Sequence, residues 1–255
     1  MTTITVQPTS QANLTRSLKA LGLSGMLDTL DARLAQAAAG DLGFLEFLQT
    51  LCLDEINRRD TNAYTRRIKA ARFDQPGNTI ETFDLNADPH LPAARIRDLA
   101  GLDWWRQHRH LIIYGPVGTG KTHLATALAI QTVRAGHTAR FTSCSRLFDD
   151  LAGGHADGTW AKRVRAYTRP DTLVLDDFAI RALTGPQADD LYEIVTARTT
   201  APIIATTNRR PEDWYPLFPN AVVAESLMDR LVNNAHQIQL DTPSYRARQR
   251  PDNIN

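Results

Sequence analysis

Residues 111–130, LIIYGPVGTGKTHLATALAI, constrain this chain more than any other stretch. A short apolar run enters the turn Gly115-Pro116-Val117-Gly118-Thr119-Gly120, and Lys121 and Thr122 open a segment of helical periodicity. Strand, glycine-rich turn and helix in that order fit the pattern G-x-x-x-x-G-K-[ST], a phosphate-binding loop. The glycines let backbone N–H groups curl around a phosphate where side chains would collide. The helix that follows adds the positive end of its dipole. Lys121 is placed to neutralise β- and γ-phosphates, and the Thr122 hydroxyl to ligate Mg²⁺.

The rest of the chain supplies the setting. From residue 111, short β-rich runs at 111–114, 138–143, 172–177, 202–207 and 236–240 alternate with helical segments. Those segments lie near 121–135, 145–151, 159–168, 186–199 and 221–234. The alternation predicts a five-stranded parallel sheet between helices, an α/β fold. Before it, leucines recur at helical spacing from Leu14, with Gly22 and Gly40 as breaks. Ser24 is the expected cap of a second helix, with Leu27, Leu30 and Leu34 on its inner face. A third helix runs from Phe44 to about Phe73. Residues 1–75 therefore read as a helical N-terminal domain, 76–110 as a linker with one short helix, and 111–255 as the α/β domain. Hydrophobic and charged contents of 42% and 22% suit a globular core. No apolar run is long enough for a membrane span, and no leader segment is expected. Cys52 and Cys144 lack metal-ligand spacing and read as two buried thiols in a reducing cytoplasm.

TLVLDDF is an apolar strand ending in Asp176 and Asp177. A carboxylate at the end of a strand neighbouring the phosphate loop suits the Mg²⁺ shell, which assigns Asp176 to the metal. Asp177 beside it is the candidate base for an attacking water, which makes the expected activity hydrolysis. PIIATTN ends a further strand in Asn208. Its amide could hold the water or the γ-phosphate, or it could cap the helix starting at Pro211.

These motifs together look like an AAA+ ATPase. GKTHLATALA, LVLDDF, ATTNRRPEDW, ESLMDRLVNNAHQIQL and LKALGLSGMLDTLDARL resemble the IstB-type transposition helpers, close relatives of the DnaC-type helicase loaders. The likeness runs from about residue 14 to 247. It implies an ATPase that assembles through its AAA+ domains on double-stranded DNA, recruits a partner transposase and is reset by ATP hydrolysis. The alternative within the same likeness is a loader whose partner is a helicase; a small-molecule kinase is the alternative of another class. The resemblance also implies that Arg230 reaches the γ-phosphate of a neighbouring subunit and that Asn208 is the sensor on the γ-phosphate. Arg246 becomes a further phosphate contact. Two departures stand out: Asp177 occupies a position where many AAA+ enzymes carry Glu, and Thr242 replaces a glycine common before Arg246. The short remainder after the fifth strand is expected to leave no helical lid.

A net charge of +1 means that any DNA binding must come from local patches. Residues 58–72 hold Arg58, Arg59, Arg66, Arg67, Lys69 and Arg72 against the single acid Asp60. On one continuous helix, Arg58, Arg66, Lys69 and Arg72 would share a face able to follow phosphates without reading bases. Lys162, Arg163 and Arg165 form a second cluster. Trp104 and Trp105 read as packing residues, since no basic–aromatic interleaving suggests single-strand stacking.

Overall fold

The structure, a computed structural model, describes residues 11–244. These fall into two compact units that divide between Arg66 and Arg67. The first is built from α1 (Gln11–Ala20), α2 (Ser24–Ala38) and the N-terminal part of α3 (Phe44–Ala71). Leu18, Leu30 and Leu51 form its small buried core, joined by Leu14, Leu27 and Phe47. Leu34, expected on the inner face, is exposed. Ser24 is the first helical residue of α2 rather than its cap. The capping is done at a distance: Glu55 of α3 accepts the Gly25 N–H at 2.6 Å. Such a carboxylate satisfies an orphan donor and also suits the helix dipole. A side chain at Gly25 would run into the Glu55 backbone, so the crossing of α2 and α3 depends on that glycine.

The second unit carries the parallel sheet. Its strands are β1 (His110–Tyr114), β2 (Ala139–Ser143), β3 (Thr172–Asp176), β4 (Ile203–Thr207) and β5 (Ala235–Gln239), in the order β2-β3-β4-β1-β5. Between them come α6 (Lys121–Arg134), α7 (Cys144–Asp157), α8 (Trp160–Thr168), α9 (Gly185–Ala197), a 3₁₀ segment (Pro211–Leu217) and α10 (Ala221–Leu231). β3 and β4 are buried along their whole length, as expected for strands covered on both faces. The expected fold class is the observed one.

Differences from the sequence reading are local. The stretch 76–110 holds two short helices rather than one, α4 (Ala93–Ala100) and α5 (Asp103–Arg106). Helix α7 continues through Gly153 and Gly154 to Asp157, and Gly154 leaves room for the backbone of Trp160 against the helix. Trp104 is buried and donates to the Leu99 carbonyl at 2.9 Å, and Trp105 donates to Thr172 at 2.8 Å, so both pack as expected. Cys144 is buried, whereas Cys52 is only half-buried. No helix among the described residues is long and apolar enough to cross a membrane.

Two buried basic groups bracket the lower end of the sheet. Arg198, 0% exposed, donates to the carbonyls of Tyr167, Thr168, Pro170 and Pro202. His110 accepts the Ile203 N–H on Nδ1 at 3.0 Å, which requires the neutral ring. Burial, assisted by the Arg198 charge, pushes the His110 pKa down to about 4. The unfolded chain therefore takes up this proton first as pH falls. The stabilisation is complete above about pH 6.5 and is lost as pH drops towards 4; at ~1.4 kcal/mol per pH unit it amounts to roughly 3 kcal/mol. Urea unfolding at pH 7.5 and 4.5 should show His110→Asn losing about 2–3 kcal/mol less than the parent between these conditions. Equal losses would remove His110 from the acid sensitivity.

Candidate functional site

Strands β3, β4 and β1 lie side by side, and their carboxyl ends bring together the residues that the motifs single out. In parallel sheets this edge is where ligands bind. The loop 115–120 leaves β1 and enters α6 at Lys121. Gly115 and Gly118 adopt φ of +148° and +86°, and a side chain at either would strike the chain leaving β5, at the Leu240 carbonyl and at Ser244. Lys121 is 7% exposed and its ammonium donates to the Pro116 carbonyl at 2.6 Å. Thr119 donates to the same carbonyl at 3.0 Å. Val117 is exposed on the outer side of the loop. The linker segment also packs here: Phe83 sits edge-on to His123 at 5.2 Å and beside Gly120, while Thr79 and Thr82 contact His123.

Thr122 donates to Asp176 Oδ1 at 2.9 Å, which joins the start of α6 to the end of β3. The Thr206 hydroxyl donates to the same oxygen and accepts the Asp177 N–H at 3.1 Å. One threonine of β4 thereby fixes both acids. Burial raises the Asp176 pKa above the ordinary carboxylate value; the two threonine hydrogen bonds oppose this, and the charges of Asp177 and Asp74 add to it. A cation at this point would reverse that balance. The donor set of carboxylate and hydroxyl oxygens suits a hard ion such as Mg²⁺. Among the described residues no group of three acidic, His or Cys side chains could hold a metal, so the remaining ligands would be phosphate and water oxygens.

Asp177 is exposed and has φ of +58°, a conformation that L residues rarely adopt. The turn is held by Thr206 on one side and on the other by Phe178. Phe178 donates its N–H to the Thr206 carbonyl at 2.7 Å and packs on Trp214 at 4.5 Å. A non-glycine residue held at positive φ between two anchors is a frequent mark of a functional position. Asn208 follows β4 directly. Thr207 pairs with Tyr114 and its carbonyl accepts the Gly115 N–H, so Asn208 emerges level with the start of the loop. It is exposed.

The other candidate residues lie apart from this cluster. Arg230 is exposed on the last turn of α10, with its guanidinium 5.9 Å from the ring of Tyr192 on α9. Its neighbour Asp229 is engaged with Asn233 at 2.9 Å. Arg246 lies outside the described residues. Helix α3 ends at Ala71, and Arg72 follows it in a left-handed conformation, so Arg72 does not continue the helical stripe. Arg58 is half-buried and leans on Glu55, which Arg59 also contacts. Arg66 and Lys69 are exposed, and Arg67 is half-buried. In the second cluster, Arg163 joins Asp150 and Asp157 and holds α7 against α8, whereas Lys162 and Arg165 are exposed.

Two features of this region were missed from sequence. Thr206 could have been noticed as one of two hydroxyl residues that close the apolar strand IIATT. The Arg146–Asp74 ion pair, which joins the head of α7 to the residue after Phe73, spans 72 positions and leaves no local signal.

Comparison with known proteins places this arrangement in context. Residues 16–253 match the family described as IstB-like ATP binding protein. A putative ATP-binding protein of an insertion sequence of Mycobacterium tuberculosis is 56% identical over 240 residues, which cover 93% of this chain and 95% of that protein. The fold resembles the crystal structure of DnaI, with a TM-score of 0.57 and 20% identity over 68% of this chain and 93% of that one. It also resembles the replication initiator DnaA bound to AMPPCP and single-stranded DNA, with a TM-score of 0.55 and 20% identity. That match covers 66% of this chain and half of the initiator's length.

Proposed function

The chain belongs to the IstB-like ATP-binding protein family, as an insertion-sequence ATPase of the AAA+ type, and on that premise we propose that it is a transposition helper. In this reading, ATP binding drives assembly of copies on duplex DNA, the assembly recruits and stimulates a transposase, and hydrolysis resets it. The observation that carries the proposal is the convergence of the phosphate loop, Asp176, Asp177 and Asn208 at three adjacent strand ends. Residues 1–75 serve as the DNA- and partner-binding domain, 76–110 as the linker and 111–255 as the ATPase domain, acting in the cytoplasm.

The site performs hydrolysis as follows. Backbone N–H groups of the loop and the start of α6 hold the β-phosphate, and Lys121 spans the β- and γ-phosphates. Thr122 and Asp176 would hold Mg²⁺, which would neutralise charge on the phosphate oxygens. Asp177 takes the proton of a water whose oxygen attacks the γ-phosphorus, and the bond to the β–γ bridging oxygen breaks to leave ADP and phosphate. Asn208 orients that water without adding charge. Arg230 from a neighbouring copy stabilises the charge that develops on the γ-phosphoryl group.

Duplex DNA lies against the exposed basic residues Arg66 and Lys69 of α3 and the adjoining Arg72, with Lys162 and Arg165 as a second contact. Cations along a helix surface that meet phosphates carry no sequence information, so affinity should be steep in salt and nearly blind to sequence. Fluorescence anisotropy across a salt series tests this. The variant Arg66→Ala/Lys69→Ala should lower the slope of log K against log salt by roughly two. An unchanged slope would return these residues to an ordinary solvated face.

A further inference from the structure

A cleft between the 3₁₀ segment, α10 and β5 lies outside the ATP machinery. It encloses about 720 Å³, and its walls divide by chemistry. Glu212, Glu225 and Asp229 bring three carboxylates to it, and no lining residue is basic. Beside them Tyr215 and Val222, 46% and 75% exposed, form an apolar wall that Val232 continues. Glu212 and Glu225 are exposed and form no ion pair among the described residues.

The adjoining strand adds a second feature. Among the described residues β5 pairs only with β1 and stands at the edge of the sheet, and its Gln237 lines the cleft. An edge strand offers a row of peptide groups to an added strand. Three like charges repel a polyanion, so nucleic acid and nucleotide are disfavoured here. Cation and apolar anchor are wanted together.

We propose that this cleft docks an extended basic segment of a partner protein, in which an aliphatic or aromatic side chain lies between lysines or arginines. The cations meet Glu212, Glu225 and Asp229; the anchor covers Tyr215, Val222 and Val232; the main chain runs beside β5. This surface uses none of the residues assigned to hydrolysis or DNA binding, and its Asp229 adjoins Arg230 on α10.

The test uses the full chain and a fluorescein-labelled heptapeptide that alternates arginine with valine and tyrosine. Saturable one-to-one binding is expected. It should weaken by ~10-fold or more in Glu212→Gln/Glu225→Gln and in Val222→Arg, with ATP binding and melting temperature unchanged. A control pair elsewhere, Asp98→Asn/Asp149→Asn on α4 and α7, should change it by less than about twofold. Absence of saturable binding, or equal weakening in the control pair, overturns the proposal. Sedimentation of the protein alone separates the remaining occupant. If the parent self-associates and Val222→Arg abolishes that, the cleft belongs to a second copy of this chain and the partner assignment is wrong.

Discussion

Arg230→Ala should bind ATP as the parent does and hydrolyse it ~10³-fold more slowly. The reason is positional. Arg230 projects from the end of α10 over Tyr192, exposed and without a carboxylate partner among the described residues, while the adjacent Asp229 is held by Asn233. A guanidinium kept in place by a ring but not neutralised by an acid can serve a γ-phosphate brought up by another copy. The same account predicts complementation. Lys121→Ala lacks a working phosphate loop but keeps Arg230, and Arg230→Ala has the reverse defect. In a mixed assembly on DNA some interfaces pair an intact loop with an intact arginine. Phosphate release by an equimolar mixture should therefore exceed the sum of the two variants alone. No gain in mixtures shown to co-assemble would mean that the arginine does not act between copies.

Asp177→Asn should lower turnover by ~10²-fold or more while leaving ATP binding and DNA assembly in place. Asp176→Asn should fail differently. Asp176 is buried under two threonine hydroxyls at the mouth of the loop, so its loss removes the anionic ligand and weakens the nucleotide complex itself. Asp177 stands in the open on a left-handed turn, where an amide keeps the shape but cannot take a proton. Nucleotide affinity measured alongside turnover separates the two. Rapid hydrolysis by Asp177→Asn would take this residue out of the base role.

The strands and the phosphate loop were legible because their signals are local. Each apolar run is bounded by turn residues, and the G-x-x-x-x-G-K-[ST] spacing fits within eight positions. What escaped depends on contacts between distant residues. Glu55 caps α2 from another helix, so the sequence pointed to Ser24 instead. Thr206 governs both acids only because strand pairing sets it beside β3. Arg163 reads as free charge in WAKRVR until the fold brings Asp150 and Asp157 to it. Arg72 fits a helical stripe by periodicity, and the helix ends one residue earlier.

Nucleotide in the loop at residues 115–122 is expected to govern assembly on duplex DNA. Analytical ultracentrifugation of the parent and Lys121→Ala, each with a labelled duplex and with or without ATP, tests it most directly. The account predicts that ATP shifts the parent–DNA complex to a larger sedimenting species and that Lys121→Ala, with its fold intact by circular dichroism, shows no ATP-dependent shift. The same shift in Lys121→Ala, or none in the parent, would contradict it.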